Sequence, residues 1–440
     1  MKTLLKNGRI LDPAQNIDVI GSLLIEDDQV EDYGPELHVD DVDEIYDCSG
    51  LWICPGLVDP HVHFREPGLE HTETISSGTQ AAAAGGFTNV CCMPNTNPPL
   101  DNAALIDFIL DKAASPESGG VFVAPVGAVT RSHNPLLLTD FASMKKAGIV
   151  AVSDEGAPIQ NSLLMQQAME TCLQLDLPLM AHCEDTTLSA KGAMNDGAMS
   201  AMLGLRGIPR TAEEVAIMRN CILAMNTRCQ LHIMRVSTWG AVEMIRQAKS
   251  LGANVTCEVT PQHFIFTDES IGEFDPLYKM SPPLRTQVDI ELMLQAINDG
   301  TIDCISSDHS PHAAHDVEAP FDEAPFGSAG LESVVGATLT HLTHKGVLSP
   351  LRTIELLSSS PARILRLDAG TLRPGDTPVA QVTVIHPDLE WTFDVNKTFS
   401  LGKNSPFHGH QFKGKSVLTF CGGEIYRDAL FEPARYISVM

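Results

Sequence analysis

Eight short apolar runs separated by helical segments fill the chain from Leu57 to Ser307, and this alternation narrows the fold more than any other feature. The runs that read as strands are Leu57–His63, Asn89–Met93, Val121–Val126, Gly148–Ser153, Pro178–His182, Gln230–Arg235, Asn254–Val259 and Asp303–Ser307. Apolar residues at helical spacing lie between them, at Ile75–Ala84, Ala103–Ala114, Leu163–Leu175, Ala212–Asn226, Gly240–Ser250 and Val288–Asn298. Gly85-Gly86 and Gly252 stand just past such helices, where glycine ends a helix without strain. The pattern predicts an α/β fold, a (β/α)8 TIM-type barrel. A doubly wound open sheet shares the alternation, but no GxGxxG follows the first strand, which argues against its dinucleotide-binding form.

The two ends of the chain have a different texture. Leu4-Leu5, Ser22–Ile25 and Glu44–Tyr46 read as short strands broken by turns, and strand-like runs return at Val379–Ile385, Trp391–Phe393 and Ser416–Phe420. Residues 54–375 are therefore expected to form the barrel. Residues 1–53 and 376–440 are expected to form one small β-sandwich domain built from both termini.

Composition sets the class of partner. The 29 Lys and Arg against 56 Asp and Glu give a net charge of −27. Such a surface repels phosphate backbones and anionic lipid, so neither nucleic acid nor membrane is an expected partner. The N-terminus lacks the apolar core of a signal peptide, and no uncharged apolar stretch reaches the roughly 18 residues of a membrane span. The 11 cysteines include no CxxC pair and read as reduced, buried thiols. A cytoplasmic protein is expected.

Polar residues collect where the predicted strands end, at the face of a barrel that holds its active site. The first strand ends Asp59-Pro60-His61-Val62-His63-Phe64-Arg65. His61 and His63 are two apart, so a strand turns both the same way. Asp154 ends the fourth strand, His182 the fifth and Asp308 the eighth. Each has an ordinary alternative, an aspartate turn, a buried histidine or a helix cap. Together they form a divalent-metal set suited to zinc. A metal lowers the pKa of water toward about 7, and a neighbouring carboxylate passes the proton to a leaving nitrogen. Asp308 is the candidate for that proton transfer, and metal-assisted hydrolysis the reaction class.

These residues lie in segments that resemble the dihydroorotases of the amidohydrolase superfamily over nearly the full chain. The segments are Asp59–Gly68, Met93-Pro94-Asn95-Thr96-Asn97-Pro98, Ser153–Gly156, His182–Asp185, Pro282–Arg285, Asp308–His312 and Ala324–Gly327. Hydantoinases and allantoinases resemble the barrel but usually lack Arg65 and the MPNT run. The resemblance implies His61 and His63 as ligands of a first metal, with Asp154 and Asp308, and His182 at a second. It implies His63, Arg65, Asn95, Ser281, His312, Phe326 and Gly327 as substrate contacts, with Arg65, Asn95 and His312 on a carboxylate.

Two positions depart from the family. Where its sixth strand usually carries a metal-binding histidine, this chain has Arg235, and a guanidinium offers no lone pair. His232, three residues earlier, is expected to face the other way in a strand. Ser281 stands where the family usually has asparagine. One tightly bound zinc is expected, with Arg235 either supplying the missing charge or pairing with Asp154.

The activity implied is interconversion of N-carbamoyl-L-aspartate and (S)-dihydroorotate in de novo pyrimidine biosynthesis. Two other readings stand beside it: a non-catalytic subunit that scaffolds aspartate carbamoyltransferase, and a hydrolase of another cyclic amide such as hydantoin or allantoin. The expected partner is a small anionic substrate. Homo-oligomerisation and association with aspartate carbamoyltransferase both stay open.

Overall fold

The computed structural model describes residues 1–35, 37, 39, 41–429 and 434–437. Eight parallel strands pair in chain order: β1 (Leu57–Val62), β2 (Phe87–Cys92), β3 (Phe122–Ala128), β4 (Ala151–Ser153), β5 (Leu179–Ala181), β6 (Leu231–Ile233), β7 (Val255–Val259) and β8 (Cys304–Ile305). The ring closes beyond the end of β8. There Val62 pairs with His309, and the His63 amide donates to the His309 carbonyl at 2.8 Å. Every residue of β1, β2, β4, β5 and β6 is buried. Strands covered on both faces have no polar side, which is why they read as unbroken apolar runs.

Helices α1 (Ile75–Gly85), α2 (Ala103–Ala113), α3 (Phe141–Ala147), α4 (Ser162–Gln174), α5 (Thr211–Thr227), α6 (Trp239–Ser250) and α7 (Gln287–Asn298) follow the strands. Thr74 caps α1 by accepting from the Ser77 amide, and Gly86 ends it at φ +95°. Leu57, Phe87, Val152, Leu179, Ile217 and Ile245 belong to the large core shared by strands and helices. A second cluster, with Cys91, Val126, Ala151, Met180, Met234 and Cys304, comes from successive strands and their ends and fills the barrel.

Nine strands from the two ends of the chain form one mixed sheet. The ends meet where Trp52–Pro55 pairs with Lys2–Asp12 on one side and with Val382–Thr392 on the other, Cys54 opposite Thr383. Leu5, Ile10, Leu23, Ile53, Val384 and Leu418 are fully buried in its core. Trp52–Pro55 runs almost directly into β1, so the sheet anchors the strand that carries His61 and His63. All cysteines are free and buried. Among the described residues no helix is long and apolar enough to cross a membrane.

Candidate active site

His61 and His63 lie at the C-terminal end of β1, and both rings are held from behind. The Nδ1 of His61 is 2.7 Å from Glu258 Oε1, and the Nδ1 of His63 is 2.8 Å from Asn95 Oδ1. Each acceptor is an oxygen, so each Nδ1 carries a proton. Both Nε2 atoms face Asp308: Oδ1 lies 3.4 Å from His61 Nε2 and 3.3 Å from His63 Nε2. Burial disfavours a charged His61, but Glu258 and Asp308 outweigh it and raise its pKa. Burial lowers the His63 pKa to about 4, so its ring is neutral at pH 7.

Glu258, in β7, takes no part in the sequence-based site but supports it. It is fully buried, and its second oxygen lies 3.1 Å from His232 Nε2. Burial alone would raise its pKa, but His61 and His232 outweigh that and bring it to about 2. An acid inside a short buried strand, Val255-Thr256-Cys257-Glu258-Val259, was the available signal. His232 also lies inside the barrel, against the expectation that it would face away from Arg235. The strand ends at Ile233 and Arg235 takes φ +52°, so simple alternation no longer relates the two.

The structure corrects the carboxylate from the fourth strand. Asp154 does not join the histidines: its side chain turns to Thr130, accepting from the backbone amide at 2.8 Å and from the hydroxyl. Glu155 reaches the centre instead. One ligand atom from each of His61, His63 and Glu155 lies within 4.8 Å of the others. The strand ends at Ser153, just before the two acids; Asp154 turns to Thr130 and the longer Glu155 reaches the histidines.

Arg235 closes the other side of this cluster. Its Nη2 donates to Glu155 Oε1 and lies 3.1 Å from His182 Nδ1, while its Nη1 is 3.3 Å from Asp308 Oδ1. The expected pairing with Asp154 is thus replaced by Glu155 and Asp308. Burial disfavours the guanidinium charge, but the two carboxylates outweigh it and raise its pKa. They are held low in turn, Glu155 to about 2 against its own burial. His182 Nδ1 accepts from Arg235, and its Nε2 faces Glu184 at 3.3 Å. Of the two nitrogens of this expected second-metal ligand, Nδ1 is taken by Arg235, while the buried Nε2 makes no hydrogen bond. His263, just after β7, is a further histidine near the site, and its ring is occupied by Thr260 and by the Pro282 carbonyl.

Asn95, expected from sequence as a substrate contact, touches the cluster through His63. Arg65 and His312 line one cleft of about 480 Å³. With its oxygen on His63, Asn95 keeps its amide N–H groups to donate. His312 behaves differently from expectation. Burial, then Arg65, lowers its pKa to about 4, so the neutral ring donates Nε2–H to the Phe326 carbonyl at 2.9 Å. Arg65 donates its Nε–H to the Pro311 carbonyl at 3.2 Å. Ser281 lies in the segment that runs beside Gly327, whose amide donates to the Lys279 carbonyl at 2.9 Å.

Asn404, from the C-terminal part of the chain, is a buried positioning residue that sequence reading missed. Its Oδ1 accepts from the His312 amide at 2.8 Å, and its Nδ2 donates to the carbonyls of Ser310 and Gly327 at 3.0 and 3.1 Å. It ties together two loops of the expected substrate pocket.

A dihydro-orotase-like family model matches residues 50–240. A protein of Solibacter usitatus named dihydroorotase is 42% identical over 96% of this chain and 97% of its own length. One of Syntrophus aciditrophicus, also named dihydroorotase, is 44% identical over 97% of this chain and 99% of its own. Among solved structures, the L-hydantoinase (dihydropyrimidinase) from Arthrobacter aurescens superposes with a TM-score of 0.86 at 25% identity, covering 98% of both chains.

Proposed function

The chain belongs to the dihydroorotase family, and from that premise we propose that it interconverts (S)-dihydroorotate and N-carbamoyl-L-aspartate in de novo pyrimidine biosynthesis in the cytoplasm. The observation that carries this reading is the convergence of the His61 and His63 Nε2 atoms on Asp308, with the Arg65 guanidinium and the Asn95 amide nearby to hold a carboxylate.

The residues fit a divalent metal ion. His61 Nε2 and Glu155 Oε2 are buried and make no hydrogen bond, so both atoms are free to ligate. Two imidazoles with carboxylates form a donor set suited to zinc. His61 and His63, with Asp308 and Glu155, would hold the ion. When bound, it lowers the pKa of water and polarises a carbonyl oxygen.

The protein's own groups do the rest. Arg65 and Asn95 hold the substrate carboxylate and set the ring amide against Asp308. Asp308 takes a proton from the attacking water as the new C–O bond forms at the ring carbonyl. It returns that proton to the ring nitrogen as the C–N bond breaks, leaving N-carbamoyl-L-aspartate. In the other direction the same steps reverse and close the ring.

The test is a substrate comparison on the purified chain, alone and with aspartate carbamoyltransferase added. Dihydroorotate is expected to be hydrolysed by the chain itself, with hydantoin and allantoin turned over at least about 100-fold more slowly, since neither offers Arg65 a matching carboxylate. Preference for hydantoin or allantoin, or no turnover under any condition, would refute the proposal.

A further inference from the structure

Arg235 stands at the centre but has no task in the hydrolysis above. Its side chain is 5% exposed and sits between Glu155 and Asp308, with His182 against the same Nη2. A guanidinium has five N–H donors, no acceptor, and a charge it does not lose in proteins. It therefore stands where any further cation would need to meet Glu155, Asp308 and His182 together. It also takes up the Nδ1 lone pair of His182, the nitrogen nearest that position.

We infer that Arg235 is a built-in second cation, so that the centre accepts one divalent ion and not two. This rests on the reading that His61, His63, Glu155 and Asp308 hold a metal. Charge works the same way: the guanidinium already places a positive charge against Glu155 and Asp308, and a further divalent ion beside it would meet that charge in a pocket with little water to screen it. Asp59 and Asp154 lie beside the cluster, Asp59 accepting from the His61 and Ser307 amides and Asp154 from that of Thr130. Glu184 is drawn to His182 and Ser189.

Arg235 has a structural consequence as well. By bridging Glu155 and Asp308 it ties together two carboxylates that follow β4 and β8. In a two-ion centre, metal bonds would make that cross-link. Here a side chain makes it, so the spacing of the carboxylates no longer depends on occupancy.

Metal content by elemental analysis, with a cobalt titration followed by visible absorption, tests this on the full chain. The unaltered protein should saturate at one ion. Arg235→His removes the cation and adds a lone pair, and should raise the count to two. Arg235→Lys keeps the charge and should stay at one, which serves if the histidine variant does not fold. Two tightly bound ions in the unaltered protein, two in Arg235→Lys, or one in a folded Arg235→His would overturn the inference. A chain that binds no metal overturns this inference and the metal reading together. A chain with one ion that fails to hydrolyse dihydroorotate overturns only the proposed function.

Discussion

Asp308→Asn is expected to lower kcat for dihydroorotate hydrolysis by about 10²–10⁴-fold, the span typical of a lost general acid–base. Asp308 Oδ1 is the atom that both His61 Nε2 and His63 Nε2 face, at 3.4 and 3.3 Å, and Arg235 Nη1 approaches it at 3.3 Å. The exchange preserves shape and one potential ligand oxygen, but an amide cannot take up a proton near neutral pH and give it back. KM should move far less than kcat, because Arg65 and Asn95 hold the substrate and neither is altered. Metal content must be measured beside the rate, so that a lost ion is told apart from a lost proton carrier. A variant that keeps its metal and more than about a tenth of its kcat would remove Asp308 from the mechanism.

The second large effect is expected at Glu258, which touches no substrate in this account. Its two oxygens receive His61 Nδ1–H and His232 Nε2–H in a fully buried position. Glu258→Leu leaves both donors unpaired, a change expected to cost about 3–5 kcal/mol of folding stability. Glu258→Gln offers one oxygen where two donors need one, so one ring must change tautomer. If that ring is His61, its Nε2 gains the proton and loses the lone pair that faces the metal. Zinc affinity should then fall by about 10–100-fold, as it does when an outer partner of a ligating histidine is removed. Chelator competition and denaturant unfolding measure the two effects separately. Unchanged zinc affinity in both variants would show that Glu258 does not orient His61. The sign of the pH effect follows from its depressed pKa of about 2. The stabilising contribution is complete above the ordinary carboxyl range and is lost as pH falls toward 2.

Much of the barrel was legible in sequence because parallel strands covered on both faces must be apolar throughout. The fourth, fifth, sixth and eighth strands are shorter than their apolar runs, since the runs continue into loops that stay buried. Helix α3, Phe141–Ala147, was missed: seven residues are too few to show a helical period. Within the site, His61 and His63 were legible because their spacing lies inside a strand. Asp154 and Glu155 were not separable, because the strand ends just before them and alternation stops there. Arg235 was visible as a cation, but its partners depend on a left-handed backbone that no periodicity announces. Asn404 lies 92 residues beyond His312, and only the folded chain brings the two together.

Metal dependence of dihydroorotate turnover tests the central claim most directly. The initial rate is measured on the purified chain as isolated, after removal of metal with a chelator, and after return of one equivalent of zinc. Turnover is expected to disappear with the metal and to come back with that single equivalent. Turnover that survives metal removal, or none once zinc is restored, would contradict a metal-dependent dihydroorotase centred on His61, His63 and Asp308.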